Sequence, residues 1–301
     1  MTSISSILNG AFGLVRDRPV TVLVWCGIYL AVTVGSALFW LPIQAQMMTM
    51  GTNSRALDDL PALFVGFGLF GLAAILVQMI LLTAAYRAVL RPGDGRFAFL
   101  RFGMDELRET LLAIVMIVAF YALIVAGALV IGVGAAFLGR GGTAGIVLAV
   151  LLGLILTIAF LCLVIWLAVR LCLAFPLTLL RRRFVIGEAW RLSKGRFWTL
   201  FGAFIAIFFL YFICSVVVSS VTAASYMSAL ANGGLFAPGK DPAVQQAAFI
   251  RQFTTITPVM VIGWIFGGLL GGAFMALNGG ATATAVRDLT VDDGELIERF
   301  S

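Results

Sequence analysis

Gly145–Val169 reads GIVLAVLLGLILTIAFLCLVIWLAV, with no charged residue anywhere in it. A helix needs about 20 mostly apolar residues to cross the hydrocarbon layer, and lipid leaves a spanning backbone only helices or closed barrels. This run is helix-length, and it decides the fold class. Apolar character continues to Leu180. At about 1.5 Å per residue a single helix that long would overshoot a core about 30 Å thick, so the run must tilt, break or project. Arg170 and Pro176 lie at its far end. The residue before a proline avoids helical geometry, so Leu171–Leu180 is expected to kink or to pack beneath the bundle.

Outward from this run, the same reading extends over the whole chain. Of 301 residues, 62% are hydrophobic and 11% charged, with a mean hydropathy of +1.10. Soluble domains carry roughly a quarter charged residues, and none could bury this much apolar surface. Six spans are predicted: 19–43, 61–86, 111–138, 145–169, 198–230 and 257–280. The first is too long for a cleaved signal and has no basic region ahead of it, so it reads as an anchor. The fold class is all-α: an integral membrane bundle of six transmembrane helices, with interfacial amphipathic helices on the cytoplasmic side.

Sidedness follows from arginine and lysine. Arg55, Arg140, Lys240 and Arg251 fall on one side, and the other sixteen of the twenty basic residues on the other. The positive-inside rule then places the amphipathic segment 1–18, the loops around Arg96 and Arg191, and the tail 287–301 in the cytoplasm of a bacterium, with the spans in its inner membrane. The net charge of +6 is explained by this asymmetry, and no separate basic domain points to nucleic acid.

The segments ahead of the odd-numbered spans share a layout. Phe12 and Arg18, Phe102 and Arg108, and Trp190 and Arg196 stand at one common spacing. This suggests three units of interfacial helix, span and span. Chance is the alternative, since aromatics and arginines both favour the interface. Gly263, Gly267 and Gly271, with Gly268 and Gly272, put small residues on adjoining faces of the last span, where a neighbour can approach closely; Gly66 and Gly68 do likewise in the second. Cys26, Cys162, Cys172 and Cys214 have no CxxC spacing and read as buried filler rather than disulfides or a zinc site.

Histidine is absent, which removes the commonest general base and metal ligand. Asp105, Glu106 and Glu109 beside Arg101 and Arg108 have helical spacing and read as a solvated, ion-paired face. Asp58 and Asp59, and Asp292, Asp293, Glu295 and Glu298, are adjacent acids without metal-ligand spacing. No phosphate-binding loop is found, and no cofactor is expected. With every acid outside the spans, proton-coupled transport is disfavoured. Gln78, Arg170 and Asn278 stand at similar depth and are expected to form one intramembrane polar layer, either as interhelical hydrogen bonds with a snorkelling arginine, as a lipid-headgroup site, or as a pore lining. The most distinctive surface is a basic and aromatic skirt: Arg18, Arg101, Arg108, Arg181, Arg182, Arg183, Trp190, Lys194 and Arg196. It suits anionic phospholipid or a protein partner, at about 1 kcal/mol per basic residue near the surface.

Gly187–Trp198 (GEAWRLSKGRFW), following a long apolar helix that ends in Arg170 and Pro176, resembles the membrane domain of bacterial glycerophosphoryl diester phosphodiesterases and of related stand-alone membrane proteins. Arg101–Arg108 (RFGMDELR) is similar to a segment of the stand-alone relatives. The resemblance covers nearly the whole chain and implies architecture only, since that membrane part has no established catalytic residues. The family's soluble metal-dependent barrel has no room after the last span and no histidine to build on. The expected function is therefore a non-enzymatic inner-membrane module contacting lipid, a protein partner or a second copy of itself. A transporter or channel for a small or amphiphilic solute is the alternative, and an intramembrane enzyme the least favoured.

Overall fold

The computed structural model describes residues 3–49, 60–94, 97–232 and 255–300; Asp58 and Asp59 lie outside them. The described residues form helices and turns without a strand: α1 (Ile4–Asp17), α2 (Pro19–Thr49), α3 (Leu60–Leu90), α4 (Met104–Gly139), α5 (Gly142–Leu171), α6 (Ala174–Arg181), α7 (Ile186–Leu192), α8 (Phe197–Asn232) and α9 (Pro258–Phe300). Six of them, α2, α3, α4, α5, α8 and α9, are long and apolar enough to cross a membrane. The chain is a multipass membrane protein with an all-α six-helix bundle.

The bundle is built around α9, which packs on α2, α1, α3 and α8. Between helices in lipid there is little hydrophobic driving force, so close van der Waals contact carries the packing and small residues permit it. A Cβ on Gly268 would sit 2.9 Å from Leu30 Cα, and one on Gly272 would sit 2.6 Å from Cys26 Cα. Gly279 faces Ala85 and Gly280 faces Ala11, so the seam runs to the expected end of the span. Gly263 meets Thr222 of α8, whereas Gly267 and Gly68 face open space and have no packing role; Gly66 reaches only the Phe39 ring. The expected tail 287–301 continues α9 as helix to Phe300.

α1 begins at Ser3, whose side chain accepts a hydrogen bond from the Ser6 amide at 3.1 Å, capping an otherwise unsatisfied donor. Its apolar face, Ile7, Ala11 and Leu14, is buried in protein beneath α9 and α8 rather than resting on lipid. α1 ends one residue before α2, and α7 likewise comes shortly before α8. The middle unit differs, because Met104–Arg108 is the first turn of α4 and, among the described residues, only short 3-10 turns at Pro92–Asp94 and Phe97–Phe99 precede it, with no separate α-helix. The expected set of three interfacial helices is thus two, of which α1 is internal.

The long apolar run breaks as its composition requires. α5 ends at Leu171, and α6 starts at Ala174 with Pro176 in its first turn, where a missing amide leaves no helical bond unmade. α6 turns under the bundle with Ala174, Pro176, Leu177, Thr178 and Leu179 buried. Among the described residues, the α4–α5 hairpin meets the rest of the bundle mainly near this level. Every buried residue of α4 lies between Glu106 and Met116. Farther along, α4 and α5 face each other, with Gly127 under the Phe160 ring, and expose leucines, isoleucines and valines on their remaining faces. Cys162 lies on such an exposed face; of the four cysteines expected as buried filler, Cys26 is buried and Cys172 and Cys214 are only partly so.

Candidate functional site

At the arginine-rich end, the start of α4 is driven into the bundle. Glu106 and Glu109 are each 1% exposed, so the expected solvated face of Asp105, Glu106 and Glu109 is instead largely internal. The reason is helical register: positions 106, 109, 113 and 116 share one face, and Ala113 and Met116 are core. Arg87, at 2% exposure, comes from the end of α3 to ion-pair with Glu106 and lies 3.6 Å from Asp105. Arg91 shares Asp105 Oδ2 with Arg87 at 3.8 Å, and Arg108 approaches Oδ1 at 3.5 Å. Arg91 also donates to the Leu179 carbonyl at 2.8 Å, tying α3 to the end of α6. The Glu109 carboxylate faces the main chain at Leu179 without a hydrogen bond of ordinary geometry, and no basic side chain among the described residues ion-pairs with it.

The α3–α4 connection closes this cluster from below. Ala98 and Phe99 hold φ of 50° and 58°, left-handed values that cost a residue with a Cβ about 1–2 kcal/mol each. Three contacts hold them there. Trp25 Nε1 donates to the Ala98 carbonyl at 2.9 Å, Arg87 donates to the Phe99 carbonyl at 3.4 Å, and the Arg18 guanidinium lies 4.5 Å over the Phe99 ring.

Gln78 and Asn278 border one cavity, of about 330 Å³ between α3 and α9, together with Tyr29, Tyr86, Cys172 and Thr282. Gln78 and Tyr29 also border a second space of about 380 Å³ between α2 and α3. Arg170 is not in this layer. Equal depth fixes no direction around a helix axis, and Arg170 shares its face of α5 with Trp166, four residues earlier, which turns toward α7. Its guanidinium carbon lies 4.6 Å from the Trp166 ring centroid and 4.7 Å from that of Trp190. The two indoles stand nearly perpendicular, 5.2 Å apart.

The skirt divides in two. Arg18, Arg108 and Arg181 are engaged within the protein, the last with Glu188 at 2.9 Å. Arg196 is half-buried just ahead of α8. Arg101, Arg182, Arg183 and Lys194 are exposed, beside exposed Phe102, Trp190 and Trp198. The signal that would have located the internal carboxylates is the continuation of the Ala113 and Met116 stripe back through Glu109 and Glu106. No family model, curated protein or solved structure matches the chain.

Proposed function

We propose that the chain is a non-enzymatic module of the bacterial inner membrane, with its arginine-rich end in the cytoplasm, whose work is to contact anionic phospholipid there. The resemblance to the membrane domain of glycerophosphoryl diester phosphodiesterases belongs to this proposal. The observation that carries the reading is the ring of exposed Arg101, Arg182, Arg183 and Lys194 at the level where exposed Phe102, Trp190 and Trp198 mark the ends of the apolar helices. Aromatic side chains favour the headgroup layer, and basic residues there gain about 1 kcal/mol each from an anionic leaflet. The internal ion network supports the same view, since its charges are used to fasten helices together. In phosphatidylcholine nanodiscs with graded phosphatidylglycerol, the variant R101Q/R182Q/R183Q/K194Q is expected to lose most of the preference for anionic lipid in its surrounding shell. Wild-type enrichment in that variant would end the proposal.

The cavity shared by Gln78 and Asn278 favours one second reading, passage of a small amphiphilic solute. Its polar lining, from Tyr29, Gln78, Tyr86, Asn278 and Thr282, carries no formal charge, and its apolar lining includes Leu82, Phe175 and Phe274. On this reading Q78L/N278L abolishes a solute flux measured in proteoliposomes while the protein still elutes as the folded species. Unchanged flux in that variant would remove the cavity from the account.

A further inference from the structure

Among the arginines at this end of the bundle, Arg170 has a setting of its own. Arg87, Arg91 and Arg108 share Asp105 and Glu106, Arg181 has Glu188, and Arg287 has Asp288. Among the described residues no carboxylate lies within ion-pair distance of Arg170, and its buried Nε meets no acceptor. A guanidinium stays charged under all ordinary conditions and carries five donors, so an unpaired one at the edge of the hydrocarbon layer calls for an anion. The nearest acid on α7, Glu188, is already taken by Arg181, while exposed Arg191 adds positive charge next to Trp190.

The surroundings also restrict what that anion is. Trp166 and Trp190 form a corner around the cation, which fixes the guanidinium against ring faces and leaves its edge for in-plane hydrogen bonds to a forked oxyanion. Arg170 is the penultimate residue of α5, so the corner sits at the arginine-rich end of that helix. From there toward the far end, α5 exposes Leu163 and Leu156 on the same face as Arg170, and α8 exposes Ile205, Phe208 and Phe212. An anion bound at this corner has an apolar path directly beside it.

The geometry points to Arg170, cornered by Trp166 and Trp190, as a site for the phosphodiester of a membrane phospholipid, whose acyl chains lie along the exposed flanks of α5 and α8. The inference rests on the reading that this end of the protein meets phospholipid, and narrows it from a diffuse ring to one retained molecule. The same corner would accept a soluble phosphate ester, but only a lipid also covers the apolar flanks.

The test is native mass spectrometry of the full chain released from phosphatidylcholine nanodiscs containing phosphatidylglycerol. One phospholipid is expected to survive activation that strips the rest. R170Q is expected to weaken its retention about tenfold or more, the scale of losing one charge-assisted hydrogen bond. W190L keeps the charge and loses half the corner, and is expected to weaken retention several-fold; because Trp190 is half-exposed, it reports even if R170Q folds poorly. R101Q/R182Q/R183Q/K194Q should thin the outer shell and leave the one tight lipid in place. Wild-type retention in both R170Q and W190L would overturn the site. Displacement of the lipid by millimolar glycerol 3-phosphate would make the occupant a soluble phosphate and overturn the lipid assignment. An unchanged outer shell in the fourfold variant, with the tight lipid lost in R170Q, would sink the diffuse-ring reading and keep this one.

Discussion

Arg87→Ala is expected to lower stability by about 3–5 kcal/mol, the largest single-residue effect at the arginine-rich end, because it strands a buried carboxylate without its counter-charge. Glu106 is 1% exposed and has Arg87 as its ion-pair partner, and the same guanidinium reaches Asp105 at 3.6 Å and the Phe99 carbonyl at 3.4 Å. Its removal therefore also loosens the left-handed turn at Ala98 and Phe99. Equilibrium unfolding in mixed detergent micelles gives the number. The double variant R87M/E106Q separates the value of the pair from the penalty of breaking it: a buried pair replaced as a unit is often near neutral, so most of the loss should return. Glu109 is the internal control, being equally buried but without an ion-pair partner among the described residues. E109Q should be neutral or stabilising. If R87A costs under about 1 kcal/mol, the range of an exposed pair, the cluster is not sequestered from water.

That cluster shows where the sequence was legible and where it was not. Hydropathy over a helix length is a sum, insensitive to direction, and all six spans follow from it. The break before α6 was equally open to reading, since Pro176 and Arg170 are local signals. What a sum over residues does not carry is which way a helix faces. Glu106 and Arg108 look alike as charges beside a span, yet one is internal and the other is one-third exposed. Only the stripe through Glu109, Ala113 and Met116 distinguishes them, and intrahelical charge pairing offered a competing account of the same residues. Arg170 failed for the same reason. Its depth matched that of Gln78 and Asn278, but its face of α5 is set by Trp166 and by contact with α7, a partner the spacing alone does not reveal.

The glycines of α9 give the sharpest contrast, because sequence treats two of them alike and structure does not. Gly272→Ala is expected to cost about 1–3 kcal/mol, since the added methyl meets the α2 main chain, which cannot rotate away as a side chain would. Its Cβ would lie 2.6 Å from Cys26 Cα and 3.2 Å from Cys26 Sγ, so α2 and α9 must separate. Gly267→Ala is the matched control, on the same helix and in the adjoining four-residue series. Nothing lies within 4 Å of its Cβ, which points into the space of about 450 Å³ between α8 and α9. There the loss of glycine's unfolded-state freedom should dominate, giving a gain of about 0.5–1 kcal/mol. Detergent unfolding of the two variants therefore moves in opposite directions. Equal gains would mean that the glycines act only through helix propensity. The contact of α9 with α2 would then no longer be the axis of the bundle, and the ion network around Arg87 would have to hold the helices together.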